Sequence, residues 1–111
     1  MSFSGRLFVP VPLLLAAPLA AQWSSDPALN LSVGDGAGDQ AQSKVVARAG
    51  GGVYISWFDG IASGWDVRLQ GLDAGGNEVL AHNGVLVADR GFSSTQDYGL
   101  DVDASGNALL A

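Results

Sequence analysis

The sharpest chemical hint in the chain is Asp101-Val102-Asp103-Ala104-Ser105-Gly106-Asn107. Oxygen-bearing side chains stand at its first, third and fifth positions, and glycine at the sixth. That is how a calcium-binding loop opens, because a hard cation needs several converging oxygens. Asp101, Asp103 and Ser105 are therefore candidate metal ligands. A complete loop ends in a bidentate Glu at position twelve, which falls past Ala111, and no helical pattern flanks the segment. The simpler reading of the same residues is an Asp-x-Ser-Gly hairpin turn. Apart from calcium, no cofactor is expected.

Other chemistry is weaker. His82 is the single histidine, and beside Asn83-Gly84 it reads as a turn residue. Acyl-transfer chemistry would pair it with a serine and an acid, but nothing marks a nucleophile. With ten Asp and one Glu, any two carboxylates could in principle serve glycoside hydrolysis. Asp59 and Asp66 are instead expected to cap turns or decorate a sheet surface. Trp57 and Trp65 could stack on sugars, but aromatics in strands more often belong to a core. The glycine cluster Gly34–Asp39 lacks the strand before it and the helix after it that a phosphate loop requires. No catalytic residue is assigned.

The bulk composition narrows the class. Eleven acidic residues face five basic ones, a formal net charge of −6. Arg6 is the one charged residue before position 22, so the remainder carries −7. Such a surface repels phosphates, and a nucleic-acid partner is not expected. Sixteen glycines and the preference for Asp over Glu point to many tight turns. The absence of cysteine excludes disulfides and thiolate chemistry.

The elements that must position these residues are short strands. Val53–Phe58 is rich in β-branched and aromatic types. Val45–Ala47 precedes it across the turn Arg48–Gly52. Trp65–Leu72 alternates at period two, with Trp65, Val67 and Leu69 on one face and Asp66, Arg68 and Gln70 on the other. After the turn Asp73–Asn77 come the segments Glu78–Ala81 and Val85–Ala88, separated by His82-Asn83-Gly84. Asn-Gly favours a tight turn because both residues tolerate positive φ. No segment offers an amphipathic helix.

The pattern begins to recur. Gln42–Ile55 aligns with Gln96–Leu109 at an offset of 54, matching Gln42 to Gln96 and Gly52 to Gly106. One unit would span about residues 42–95 with four short strands, the content of a β-propeller blade. The organisation expected is an irregular segment at 22–41, a first β unit at 42–95 and a second, truncated unit at 96–111. That is about one and a third blades, where about four to eight close a propeller. A piece of a longer protein is expected, with open strand edges that favour self-association.

Gly51-Gly52-Val53-Tyr54-Ile55-Ser56-Trp57-Phe58-Asp59, then Asp66–Asn77, then Asn83-Gly84-Val85, resembles the repeat of large secreted bacterial proteins. Their repeat carries a Gly-Gly-aromatic-Trp-x-Asp strand, an Asp-(Val/Ile)-Tyr-x-Gln strand, a Leu-Asp-x-x-Gly turn and an Asn-Gly-Val segment. The resemblance covers about residues 40–111 and departs at Arg68, where the family often has Tyr. It implies an all-β, antiparallel, propeller-like architecture without an assigned activity. Sialidase-type Asp-boxes and WD repeats fit poorly in spacing.

Residues 1–21 have the three-part layout of a secretory signal: a basic start at Arg6, an apolar stretch over Phe8–Ala17, and small residues ending at Ala20-Ala21. The stretch is shorter than the roughly 20 residues of a membrane span. Secretion or periplasmic export is expected. The function expected is a non-catalytic binding or structural module presenting a surface to proteins or glycans. The alternative is the N-terminal part of a secreted, glycan-directed hydrolase whose catalytic residues lie beyond residue 111.

Overall fold

The computed structural model describes residues 5, 6, 10, 12, 26–61, 64–89 and 97–111. Most of the expected signal segment, and the junction at 90–96 between the two expected units, lie outside the described residues. The described residues form an all-β structure of antiparallel strands with no helix. β1 (Asp39–Ala47), β2 (Val53–Ile61), β3 (Gly64–Leu72) and β4 (Val85–Ala88) make a four-stranded sheet in the order β1-β2-β3-β4. β5 (Leu100–Val102) and β6 (Ala108–Leu110) make a separate hairpin. Neither sheet closes into a barrel.

Sequential neighbours pair because short turns join them. Three of these turns share one geometry. In Arg48–Gly52, Asp73–Asn77 and Asp103–Asn107 the first residue's N–H reaches the fifth residue's carbonyl, at 2.8, 2.9 and 3.0 Å. The fourth residue's N–H returns to the first carbonyl. That fourth residue is Gly51, Gly76 or Gly106, each at positive φ, where a side chain would be strained.

Register fixes the two faces of the sheet. Tyr54, Ser56 and Phe58 of β2 lie opposite Gly71, Leu69 and Val67 of β3. This face is covered by the β5–β6 hairpin and its lead. Phe58 is fully buried, and the Tyr98 ring meets it edge-on at 5.2 Å between centroids. The Tyr98 hydroxyl donates to Ser56 Oγ at 2.8 Å, and the Tyr54 hydroxyl donates to the Gly106 carbonyl at 3.0 Å. Lys44 pairs with Asp97 at 2.6 Å at the rim.

The opposite face carries Ile55, Trp57 and Asp59 of β2 beside Gln70, Arg68 and Asp66 of β3. It is covered by residues 33–38 and the 78–84 loop. The expected polar face of β3 is thus not a solvent face: Gln70 is fully buried.

Strand boundaries differ from the sequence reading, and β2 runs on past Phe58 to Ile61. β1 starts at Asp39, inside the segment expected to be irregular, because Asp39, Gln40 and Ala41 pair with Gly60, Asp59 and Phe58. A bulge follows, with Gln42 at φ 50°. Glu78–Ala81 forms only a single bridge, Glu78 to Leu72, and then leaves the ladder. Gln70 explains why. Its Nε2 donates to the Ala81 carbonyl at 2.9 Å, and its Oε1 accepts from Leu80 N at 3.1 Å. A side chain satisfies the backbone groups that a strand partner would otherwise take.

Candidate functional site

The densest set of chemistry-bearing side chains gathers around Trp57 on the second face. Trp57 is 4% exposed. The edge of its indole meets both Gly34 and Gly84. A Cβ at Gly84 would stand 2.8 Å from Trp57 Cη2 and 2.8 Å from the Leu69 carbonyl oxygen. Asn83 and Gly84 take φ of 65° and 73°, and Gly84 N closes the turn on the Ala81 carbonyl at 2.9 Å.

This turn carries His82 back over Glu78. His82 Nδ1 lies 3.0 and 3.1 Å from the two Glu78 carboxylate oxygens. On the other side of the ring, Nε2 lies 3.0 Å from Asp35 Oδ1. Asp35 N donates to Asn83 Oδ1 at 2.7 Å. The hydrogen bond to Glu78, and then that to Asp35, hold the imidazole above its ordinary pKa of 6.5. Asp35 is held below its ordinary 3.8, first by its bond with Asn83 and then by His82.

Chemically this is a bridge, not a catalytic triad. Carboxylates occupy both ring nitrogens, so neither is left to take a proton from a hydroxyl. They also lie on opposite sides of the ring and cannot share one ion. Among the described residues no three His, Cys, Asp or Glu side chains converge as a metal site.

The expected ligands Asp101, Asp103 and Ser105 occupy the β5–β6 hairpin. Asp101 lies on β5, and its Oδ1 accepts from Val102 N at 2.8 Å. Asp103 Oδ1 accepts from Ser105 N at 2.9 Å and Asn107 N at 2.8 Å, and its Oδ2 from Asn107 Nδ2 at 2.9 Å. Asp103 thus spends both oxygens on its own turn. Asp73 does the same with Gly75 N and Asn77 N, each at 2.9 Å. The shared spelling Asp-Ala-x-Gly-Asn at 73–77 and 103–107 goes with a shared turn geometry.

Asp59 is not surface decoration. It is 7% exposed and sits directly across from Asp66. Arg68 Nε stands 2.7 Å from Asp59 Oδ2, an ion pair in which that N–H finds no hydrogen-bond acceptor. Arg68 Nη1 also reaches the Gly84 carbonyl at 3.4 Å. The arginine that departs from the repeat pattern therefore supplies the counter-charge to the buried Asp59. Trp65 lies half-buried with its ring over Gly60.

Among the described residues, shallow hollows flank the sheet. One, of about 150 Å³, is lined by Val33, Gly34, Gln40, Ser43, Ile55 and Trp57. Another, of about 200 Å³, lies among Val67, Val87, Ala88, Tyr98, Leu110 and Ala111. Both are smaller than the roughly 300 Å³ at which small-molecule pockets begin. No helix among the described residues is long and apolar enough to cross a membrane. No known protein family, curated protein or solved structure matches the chain.

Proposed function

We propose that this chain is a non-catalytic binding or structural module of a secreted, β-propeller-like repeat protein. The observation that carries the reading is the docking of the β5–β6 hairpin on the first sheet, through Tyr98 onto Ser56 and Phe58 and through the Gly106 carbonyl onto Tyr54. Blades stack in that way, each covering the apolar face of its neighbour. The chemistry-bearing groups fit the same reading. His82 pairs with Asp35 and Glu78, Asp59 pairs with Arg68, and Asp73 and Asp103 accept from the backbone amides of their own turns. The acidic surface disfavours nucleic acid, and a protein or glycan surface is the partner class proposed. The three-part layout of residues 1–21 supports export, with cleavage after Ala21 or, as the alternative, after Ala20.

The test is incubation of the purified exported chain with immobilised glycans and surface proteins. Retention with the bound material recovered intact supports the module. Release of shortened glycan overturns it in favour of a hydrolase. N-terminal sequencing of the exported chain tests the export: a start at Gln22 agrees, and a start at Met1 refutes it.

A further inference from the structure

The Asp35–His82–Glu78 bridge joins two segments that no strand pairing connects. Asp35 belongs to the N-terminal segment, which reaches the sheet only at β1. Glu78 and His82 belong to the loop between β3 and β4. Two bonds cross this gap: His82 Nε2 to Asp35 Oδ1 at 3.0 Å, and Asp35 N to Asn83 Oδ1 at 2.7 Å. Beneath them Gly34 rests on the Trp57 indole.

We propose that His82 is a pH-sensitive fastener that holds the Val33–Asp35 strap closed over Trp57. An imidazolium donates from both nitrogens and satisfies both carboxylates at once. A neutral imidazole carries one N–H. It then turns a lone pair toward whichever carboxylate is left, and that contact becomes repulsive. Asp35 from the N-terminal segment and Glu78 from the loop are the charged groups facing the ring among the described residues. Glu78 is the nearer in sequence and the less exposed, with two oxygens in reach. The proton therefore stays on its side, and Asp35 is the partner released.

The sign follows from which species closes the strap. His82 holds its proton above the ordinary pKa, so its contribution to closure is fully present below pH 6.5 and is lost as pH rises through the higher folded value. Asp35 is depressed, so closure is also lost as pH falls through its folded value below 3.8. The strap is closed between these limits and opens at either end. Opening uncovers the Trp57 edge and the hollow that it shares with Gln40 and Ser43.

Amide hydrogen exchange in the isotopically labelled full chain tests this. The protection factor of the Asp35 amide is followed from pH 3 to 9, beside the β2 amide of Phe58. Expected is a bell: Asp35 protection at least tenfold higher at pH 5.5 than at pH 9, with Phe58 unchanged. In His82→Gln, which donates but does not titrate, the alkaline loss disappears. In Asp35→Asn the His82 midpoint, read from its ring protons, falls. Asp35 protection that is flat from pH 5.5 to 9, or an alkaline loss that persists in His82→Gln, overturns the proposal. Parallel loss at Phe58 would mean general unfolding and would overturn it as well.

Discussion

Replacing Gln70 separates hydrogen bonding from packing at the centre of the first sheet. Its side chain is fully buried and makes three bonds, to Gly71 N, Leu80 N and the Ala81 carbonyl. Gln70→Leu keeps the volume and removes all three. A stranded buried group costs about 1–3 kcal/mol, and less where water can reach it. Gly71 N is buried, whereas the other two bonds are part-buried. The expected loss is about 3 kcal/mol for Gln70→Leu, with Gln70→Ala worse by the cavity that it adds. For a domain of this size that lowers the thermal midpoint by roughly 12–24 °C. Urea unfolding followed by circular dichroism measures it, with equal m-values required for a fair comparison. If Gln70→Leu unfolds within about 0.5 kcal/mol of the parent, the loop finds other partners and the account of why 78–81 leaves the ladder is wrong.

Gly84→Ala should cost about 2–3 kcal/mol, from its positive φ and the contacts with Trp57 and Leu69. Gly106→Ala, with nothing within 4 Å, should cost only about 1 kcal/mol, and equal losses in urea melts would refute the steric part. The Asp103 carboxyl is held below its ordinary 3.8 by Asn107, so its support of the hairpin is present above that pH and lost as pH falls through the lower folded value. NMR shifts of the Ser105 and Asn107 amides should report that titration and ignore millimolar calcium; a calcium-dependent shift would support the metal reading instead. Leu86→Lys, on an edge strand at a residue 51% exposed, should reduce self-association. Sedimentation velocity reads this, and an unchanged distribution counts against the open edge as its cause.

What the sequence made legible was the strand content and one face of the sheet. Trp65, Val67 and Leu69 share a face as their period-two spacing requires, opposite Gly60, Phe58 and Ser56. The other face was not legible, because its cover comes from residues far along the chain. Asp59, Arg68 and Gln70 are polar by type, and only their partners in the fold make them buried. Asp39–Ala41 has little strand preference of its own and is recruited by pairing with β2. His82 looks in the sequence like a lone turn residue, since its link to Asp35 spans 47 positions. The internal alignment shows a subtler limit. Letter matching set Gly106 against Gly52, whereas the shared turn geometry sets it against Gly51. Three consecutive glycines are identical as letters, but only one fills the fourth position of the turn.

The two tyrosine hydroxyls that join the hairpin to the first sheet bear on the order of folding. Every ladder within β1–β4, and the β5–β6 hairpin itself, closes between chain neighbours, so these pieces can form by short loop closures. The bonds from Tyr98 to Ser56 and from Tyr54 to Gly106 span 42 and 52 residues. Docking is then the late event, and the tyrosines fasten it after the transition state. Tyr98→Phe should therefore speed unfolding and leave the refolding rate unchanged in stopped-flow chevrons. A slowed refolding limb would instead place the latch in the nucleus. On this account the joint between the pieces governs how long the assembled protein survives, and the turns govern how fast it forms.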